Sequence, residues 1–170
     1  MRILLPPSET KAPGGQGPPL DPAGLTPAAR RRADSMLVIC SGLFGALRPS
    51  DAIPAYRLSG GRSLPRLGPL TALWRTPLAK APSANDDPVI DLRSGGYAAL
   101  APLPSAVVVR VVSHDGRPVS HHNKAAKGRL ARALVTARRE PATLAAAIRA
   151  AQGAGLVLKQ IGERQLVLIV

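Results

Sequence analysis

Two patterns of apolar positions follow one another along the chain, and the change between them is the first guide to architecture. Before residue 120 the apolar residues come in short runs bounded by Pro, Gly and Ser. Residues 2–5 read as a buried strand, stopped by Pro6-Pro7 because proline cannot donate to a ladder. Residues 36–40 predict a second strand, ending at Ser41-Gly42, and the β-branched stretches 89–92 and 106–113 predict two more. Between them, residues 28–34 read as a short helix at best and 43–47 as one helical turn before Pro49. Residues 53–58 follow with Pro54 near their start, and 70–79 read as a weak amphipathic helix carrying Trp74. Gly- and Pro-rich residues 8–27, residues 81–88 and Ser94-Gly95-Gly96 read as loop.

From Asn123 the period becomes helical. At about 100° per residue, Ala126, Leu130, Ala133, Leu134 and Ala137 share one sector. Lys124, Lys127, Arg129, Arg132, Arg138 and Arg139 occupy the rest, so 123–139 predicts a basic helix that Glu140-Pro141 ends. A second helix over 141–152 turns Leu144, Ile148 and Ala151 inward and stops at Gly153. Residues 156–161, the turn 162–164 and residues 165–170 predict a closing hairpin. The expected architecture is one mixed α+β domain over 1–170: central strands flanked by helices, loop-rich over 6–34, closed by a hairpin at about 156–170.

Composition narrows this picture. A length of 170 residues suits one domain. The longest apolar runs, 107–109 and 166–170, fall far short of the ~20 residues a membrane helix needs, and residues 1–7 are too short and Pro-rich for a secretory signal. A single cysteine, Cys40, excludes an internal disulfide framework and fits a reducing compartment. A cytoplasmic protein with no membrane partner is expected, monomeric by default. Lys+Arg number 23 against 10 Asp+Glu, a net charge of +13, which favours a polyanion partner. Eighteen of those bases are Arg, the side chain shaped for bidentate phosphate contact, although a GC-rich codon bias also raises Arg. The four aromatics, Phe44, Tyr56, Trp74 and Tyr97, are too few for a base-stacking platform. Nucleic acid would therefore be held by backbone charge, with strong salt dependence.

Three groups of residues carry candidate chemistry. Residues 120–129 (Ser-His-His-Asn-Lys-Ala-Ala-Lys-Gly-Arg) place Lys124, Lys127 and Arg129 at a helix start, either a phosphate site or a solvated basic face. Residues 41–45 with Arg48, and Arg93-Ser94-Gly95-Gly96, are small-residue loops beside an Arg, suited to anion binding or simply to turning. His121, His122 and Asp115, with His114, are weak candidates for iron or zinc, since adjacent histidines on a strand point to opposite faces. Cys40 follows an apolar run and reads as a buried, inert thiol. No Walker loop, nucleophile elbow or motif-placed carboxylate pair is present, so no catalytic residue and no cofactor is implied. A non-catalytic polyanion binder, an enzyme acting on a nucleotide or other phosphorylated small molecule, and an iron-handling protein all stay open.

These segments resemble the YaaA peroxide-stress protein family. The matching stretches are residues 4–11, the Ser-Gly-Leu-Phe-Gly-Ala-Leu-Arg-Pro-Ser-Asp box at 41–51, Pro-Ala-Tyr-Arg-Leu at 54–58, Trp74, Val-Ile-Asp-Leu-Arg-Ser-Gly-Gly-Tyr at 89–97, and residues 120–129. The resemblance implies a cytosolic protein with the family's own mixed α/β fold and a positively charged cleft. It also implies double-stranded DNA binding and protection from peroxide by limiting iron-dependent damage. Carried over residue by residue, it puts Arg48, Tyr56, Arg57, Ser94, Lys124, Lys127 and Arg129 in the cleft lining, beside Arg93 and Arg132, which the loop and the helix face suggest. One departure stands out. The family carries a long, largely helical stretch between its first two boxes, whereas here residues 20–39 join them and no helix-hairpin-helix is legible.

Overall fold

A computed structural model describes residues 1–6, 20–54, 56, 58–80, 88–119 and 123–170, with the side chains of 79 and 80 excepted. Arg57, His121, His122 and most of the expected loops at 8–27 and 81–88 lie outside the described residues.

Strand β1 (Arg2–Leu5) is central. Helix α1 (Pro27–Met36) starts at Thr26, whose hydroxyl accepts from the Ala29 amide at 3.2 Å, with Pro27 pre-set for the first turn. It is longer than residues 28–34, and Met36 closes it rather than opening the next strand. The chain enters β2 (Leu37–Ser41) at once, parallel to β1, with Ile3 opposite Leu37. Residues 43–47 are not a helical turn. Gly45, at a φ of 75°, turns the chain into β3 (Gly45–Leu47), antiparallel to β2, with Gly45 opposite Ser41. A two-residue hairpin, β4 (Ser63–Leu64) and β5 (Gly68–Pro69), leads into α2 (Leu70–Lys80).

β6 (Val89–Asp91) pairs parallel to the other side of β1. Residues 95–100, expected as loop at their start, form α3 (Gly95–Leu100). Burial of Tyr97 and Leu100 there outweighs the poor helix propensity of Gly95-Gly96. β7 (Val107–Val112) pairs parallel to β6 and alternates Val107, Val109 and Val111 inward with Val108 and Arg110 outward. The basic helix is α4 (Asn123–Thr136), three residues shorter than expected. α5 (Leu144–Gly153) starts at a Thr143 cap, not at Pro141. β8 (Val157–Gly162) and β9 (Gln165–Ile169) form the expected hairpin, and β9 lies parallel to β7.

The result is a seven-stranded mixed sheet, ordered β3-β2-β1-β6-β7-β9-β8 and flanked by helices in one domain. The main core lies on one face, where Ala33, Ala126, Leu130, Leu134 and Ala147 of α1, α4 and α5 meet Ile3, Ile90, Val109 and Leu166. On the other face a small cluster gathers Cys40, Leu70, Tyr97 and Leu100 under α2 and α3. No described helix is long and apolar enough to cross a membrane.

Candidate functional site

Strand order reverses at β1: the chain crosses through α1 to β2 on one side, then returns to β6 on the other. In open α/β sheets the crevice outside the carboxyl ends of strands at such a reversal is where ligands bind. Here those ends are Leu5-Pro6, Ser41-Gly42 and Asp91-Leu92-Arg93, and the only charged side chains buried in the described protein sit among them.

Asp91 and Arg93 are two residues apart at a strand end, so both side chains leave the same face. Asp91 Oδ1 accepts from the Arg93 amide and Nε, each at 2.9 Å, and Oδ2 accepts from Nη2 at 2.8 Å. Arg93 Nη1 donates onward to the Tyr97 carbonyl at 3.3 Å. Burial opposes the guanidinium charge, but the bonds and charge of Asp91 overcome it and hold Arg93 above its ordinary range. Cys40 lies on the same face of β2. Burial pushes its thiol up, and the Arg93 charge offsets this only in part.

Lys127 comes from the opposite face of the sheet. Its Nζ donates to the Arg93 carbonyl at 3.2 Å. Burial pulls the ammonium below the usual lysine range, with the Asp91 charge acting against that. Ser41, four residues beyond Leu37 in β2, is fully buried. Its Oγ accepts from the amides of Leu43 at 3.1 Å and Phe44 at 2.9 Å and lies 2.5 Å from Tyr56 Oη. A hydroxyl has two lone pairs and one proton. Both lone pairs are taken, so Ser41 donates to Tyr56 and leaves the phenol proton free to point elsewhere. Phe44 packs edge-on to Tyr56 at 5.3 Å, and Trp74 Nε1 donates to the Gly42 carbonyl at 2.8 Å, fixing this corner.

The structure thus brings Arg93, Ser94 and Lys127 together, with exposed Lys124 one turn earlier on α4, and sets Tyr56 beside Ser41 at the end of β2. It does not bring Arg48 there. β3 runs back along β2 from Gly45 opposite Ser41 to Leu47 opposite Ile39, so Arg48 follows the end of β3 away from Ser41. Arg129 and Arg132 occupy another side of α4 from Lys127. Arg132 is occupied in the fold: it donates to the carbonyls of Leu20, Asp21 and Gly24 at 2.7–3.1 Å and pairs with Asp21. Arg93, expected as a phosphate-binding residue, is likewise bonded to Asp91. Asp115 is exposed at the end of β7, bonded to Ser113 and Arg117, and no three of His, Cys, Asp and Glu gather among the described residues.

Sequence reasoning missed the roles of Asp91 and Ser41 and the inward position of Lys127. The last was legible, since Lys127 precedes Leu130, Ala131 and Leu134 by three, four and seven residues, all fully buried. A groove of about 750 Å³ lies elsewhere, lined by Val108, Arg110, Ile161 and Arg164 at the amino ends of β7 and β9. It holds no buried polar group. The carboxyl-end cluster is the candidate site.

Fold and site together define an open α/β protein whose buried charges collect where its strand order reverses. The chain belongs to a known family, because the family model described as "Peroxide stress protein YaaA" matches residues 14–160. A UPF0246 protein of Corynebacterium efficiens is 46% identical over 143 residues, covering 79% of this chain and 57% of that protein. One from Streptomyces coelicolor is 47% identical over 141 residues, covering 76% and 54%. One from Leptothrix cholodnii is 36% identical over 133 residues, covering 70% and 52%. The chain spans about half the length of the curated relatives it matches.

Proposed function

We propose that this protein acts in the response to peroxide stress by binding duplex DNA through its phosphate backbone, without catalysis. The carrying observation is the charge left at the surface once the fold has used its share. Arg2, Arg32, Arg93 and Arg132 are bonded to carbonyls or carboxylates within the protein. Fifteen described Arg and Lys residues remain exposed, against five exposed acids: Asp21, Asp51, Asp115, Glu140 and Glu163. That surface attracts a polyanion from any approach, and the scarcity of exposed aromatics gives it little means of reading bases. Membership of a family described by peroxide stress supplies the context. Lys124, Arg129, Arg138 and Arg139 are exposed on or just beyond α4 and form the densest stretch of free bases.

The test is anisotropy of a labelled duplex with the full chain. Affinity falls steeply between about 50 and 200 mM salt, and reversing two contacts with Lys124→Glu and Arg129→Glu lowers the log–log salt slope by roughly 2. Binding indifferent to salt, or unchanged in the double variant, overturns this reading.

A further inference from the structure

The carboxyl-end cluster differs from the rest of the basic surface in one respect: among the described residues its carboxylate is paired within the fold and its ammonium is not. Both oxygens of Asp91 are taken by Arg93. Both lone pairs of Ser41 Oγ are taken by the Leu43 and Phe44 amides. The Arg93 carbonyl receives Lys127. Left over are the Tyr56 phenol proton and two N–H bonds of the Lys127 ammonium, whose one bonded partner among the described residues is that neutral carbonyl.

Among the described residues Lys127 has no bonded carboxylate; a half-buried cation so placed is costly, and an anion arriving beside it recovers that cost. The two donors stand at the ends of β2 and β6, which flank β1, so the strand ends are about 10 Å apart. Tyr56 is held at the end of β2 by Ser41, and Lys127 reaches the end of β6 from α4. Among the described residues, the one charge of this cluster left without an opposite partner is the Lys127 ammonium.

We propose that this crevice binds the terminal phosphate of a phosphorylated small molecule, with Lys127 supplying the charge and Tyr56 a hydrogen bond. The asymmetry excludes a neutral ligand as the best fit, because an uncharged hydroxyl or amide would leave the ammonium unpaired. Its position argues for a small molecule over a duplex. Lys127 is half-buried between the strand ends and α4, where a single terminal phosphate reaches more readily than the phosphate row of a double helix. The site adjoins Lys124, one of the exposed bases that carry the proposed DNA contacts, but rests on Lys127 and Tyr56, so Lys127→Met tests it while Lys124→Glu with Arg129→Glu tests the DNA reading.

Calorimetric titration of the full chain with inorganic phosphate, a nucleoside 5′-monophosphate and the matching nucleoside tests this. Saturable binding of both phosphates and none of the nucleoside is expected. Lys127→Met and Tyr56→Phe should each weaken phosphate binding about tenfold or more, while Arg149→Met on α5 leaves it unchanged. A second readout avoids variants that fail to fold: amine acetylation of the wild-type chain followed by mass spectrometry, in which phosphate protects Lys127 and not Lys159. No saturable phosphate binding, equal binding by Lys127→Met, or no protection at Lys127 overturns the proposal. Stoichiometric displacement of the monophosphate by duplex DNA also overturns it, by assigning the crevice to the nucleic-acid backbone.

Discussion

Under α1, α4 and α5 the sheet meets a broad apolar layer, running from Met1 and Ile3 through Leu130 and Leu134 to Leu166 and Leu168. Under α2 and α3 the buried apolar cluster has four members, Cys40, Leu70, Tyr97 and Leu100, and the Asp91–Arg93 pair lies beside it. Beyond β6 no described helix covers this second face, and Val108 and Ile161 are 44% and 58% exposed. The first face is held by area removed from water, which acts without direction and tolerates modest change. The second depends on a few directional bonds around an ion pair. Fixed donors and buried charge therefore gather where apolar packing is thin, next to the crevice at the strand ends.

Perturbations of the two faces should separate them. The largest effect is expected from Asp91→Ala, which leaves the Arg93 guanidinium buried without its partner and costs about 3–5 kcal/mol. Urea titration reads it, and a loss below about 1 kcal/mol would mean that Arg93 finds water. On the apolar face Leu134→Ala should cost about 2–5 kcal/mol through a cavity, measured the same way. Ser41→Ala should cost about 1–3 kcal/mol, because two turn amides lose their acceptor, and it should also release the constraint on Tyr56.

Smaller effects follow from titration. Lys127 has a folded-state pKa below its unfolded value, so between the two the unfolded chain binds more protons and stability rises with pH. In a Cys40→Ala background, which removes the opposing thiol titration, that rise should appear below the ordinary lysine pKa, level off above it, and vanish with Lys127→Met. Cys40 itself should react with a thiol reagent only on unfolding, since burial holds it as the protonated thiol. Rapid labelling of the native protein would place the thiol within reach of peroxide. The smallest change is expected on the uncovered sheet, where Val108→Thr should shift stability by less than about 0.5 kcal/mol.

Parts of the site were readable before folding and parts were not. The glycine loops and residues 120–129 were marked by composition, and the structure does place Arg93, Ser94 and Lys127 at one end of the sheet. Arg48 belongs by sequence to the same box as Ser41, yet the turn at Gly45 carries it back along β2, away from the crevice. Arg93 and Arg132 read from the sequence as phosphate-binding residues beside the cleft. Both are spent inside, one on Asp91 and the other on the carbonyls of residues 20–24. Charge can be counted from the sequence, but whether a charge faces solvent depends on partners far away along the chain.

Local pattern alone determined the strands at 2–5 and 89–91, the basic helix, the closing hairpin and the mixed α/β class. Period and turn chemistry act over a few residues, and nothing distant contradicts them. Tertiary structure decided the rest. It made a helix of the glycine-led stretch after Ser94, because Tyr97 and Leu100 had a core to enter, and turned residues 45–47 into an edge strand, because β2 offered a ladder. It also fixed the strand order β2-β1-β6, and with it the one end of the sheet to which Ser41, Asp91, Arg93 and Lys127 are all brought. Such long-range pairings bring together residues up to 86 positions apart, and no local preference specifies them.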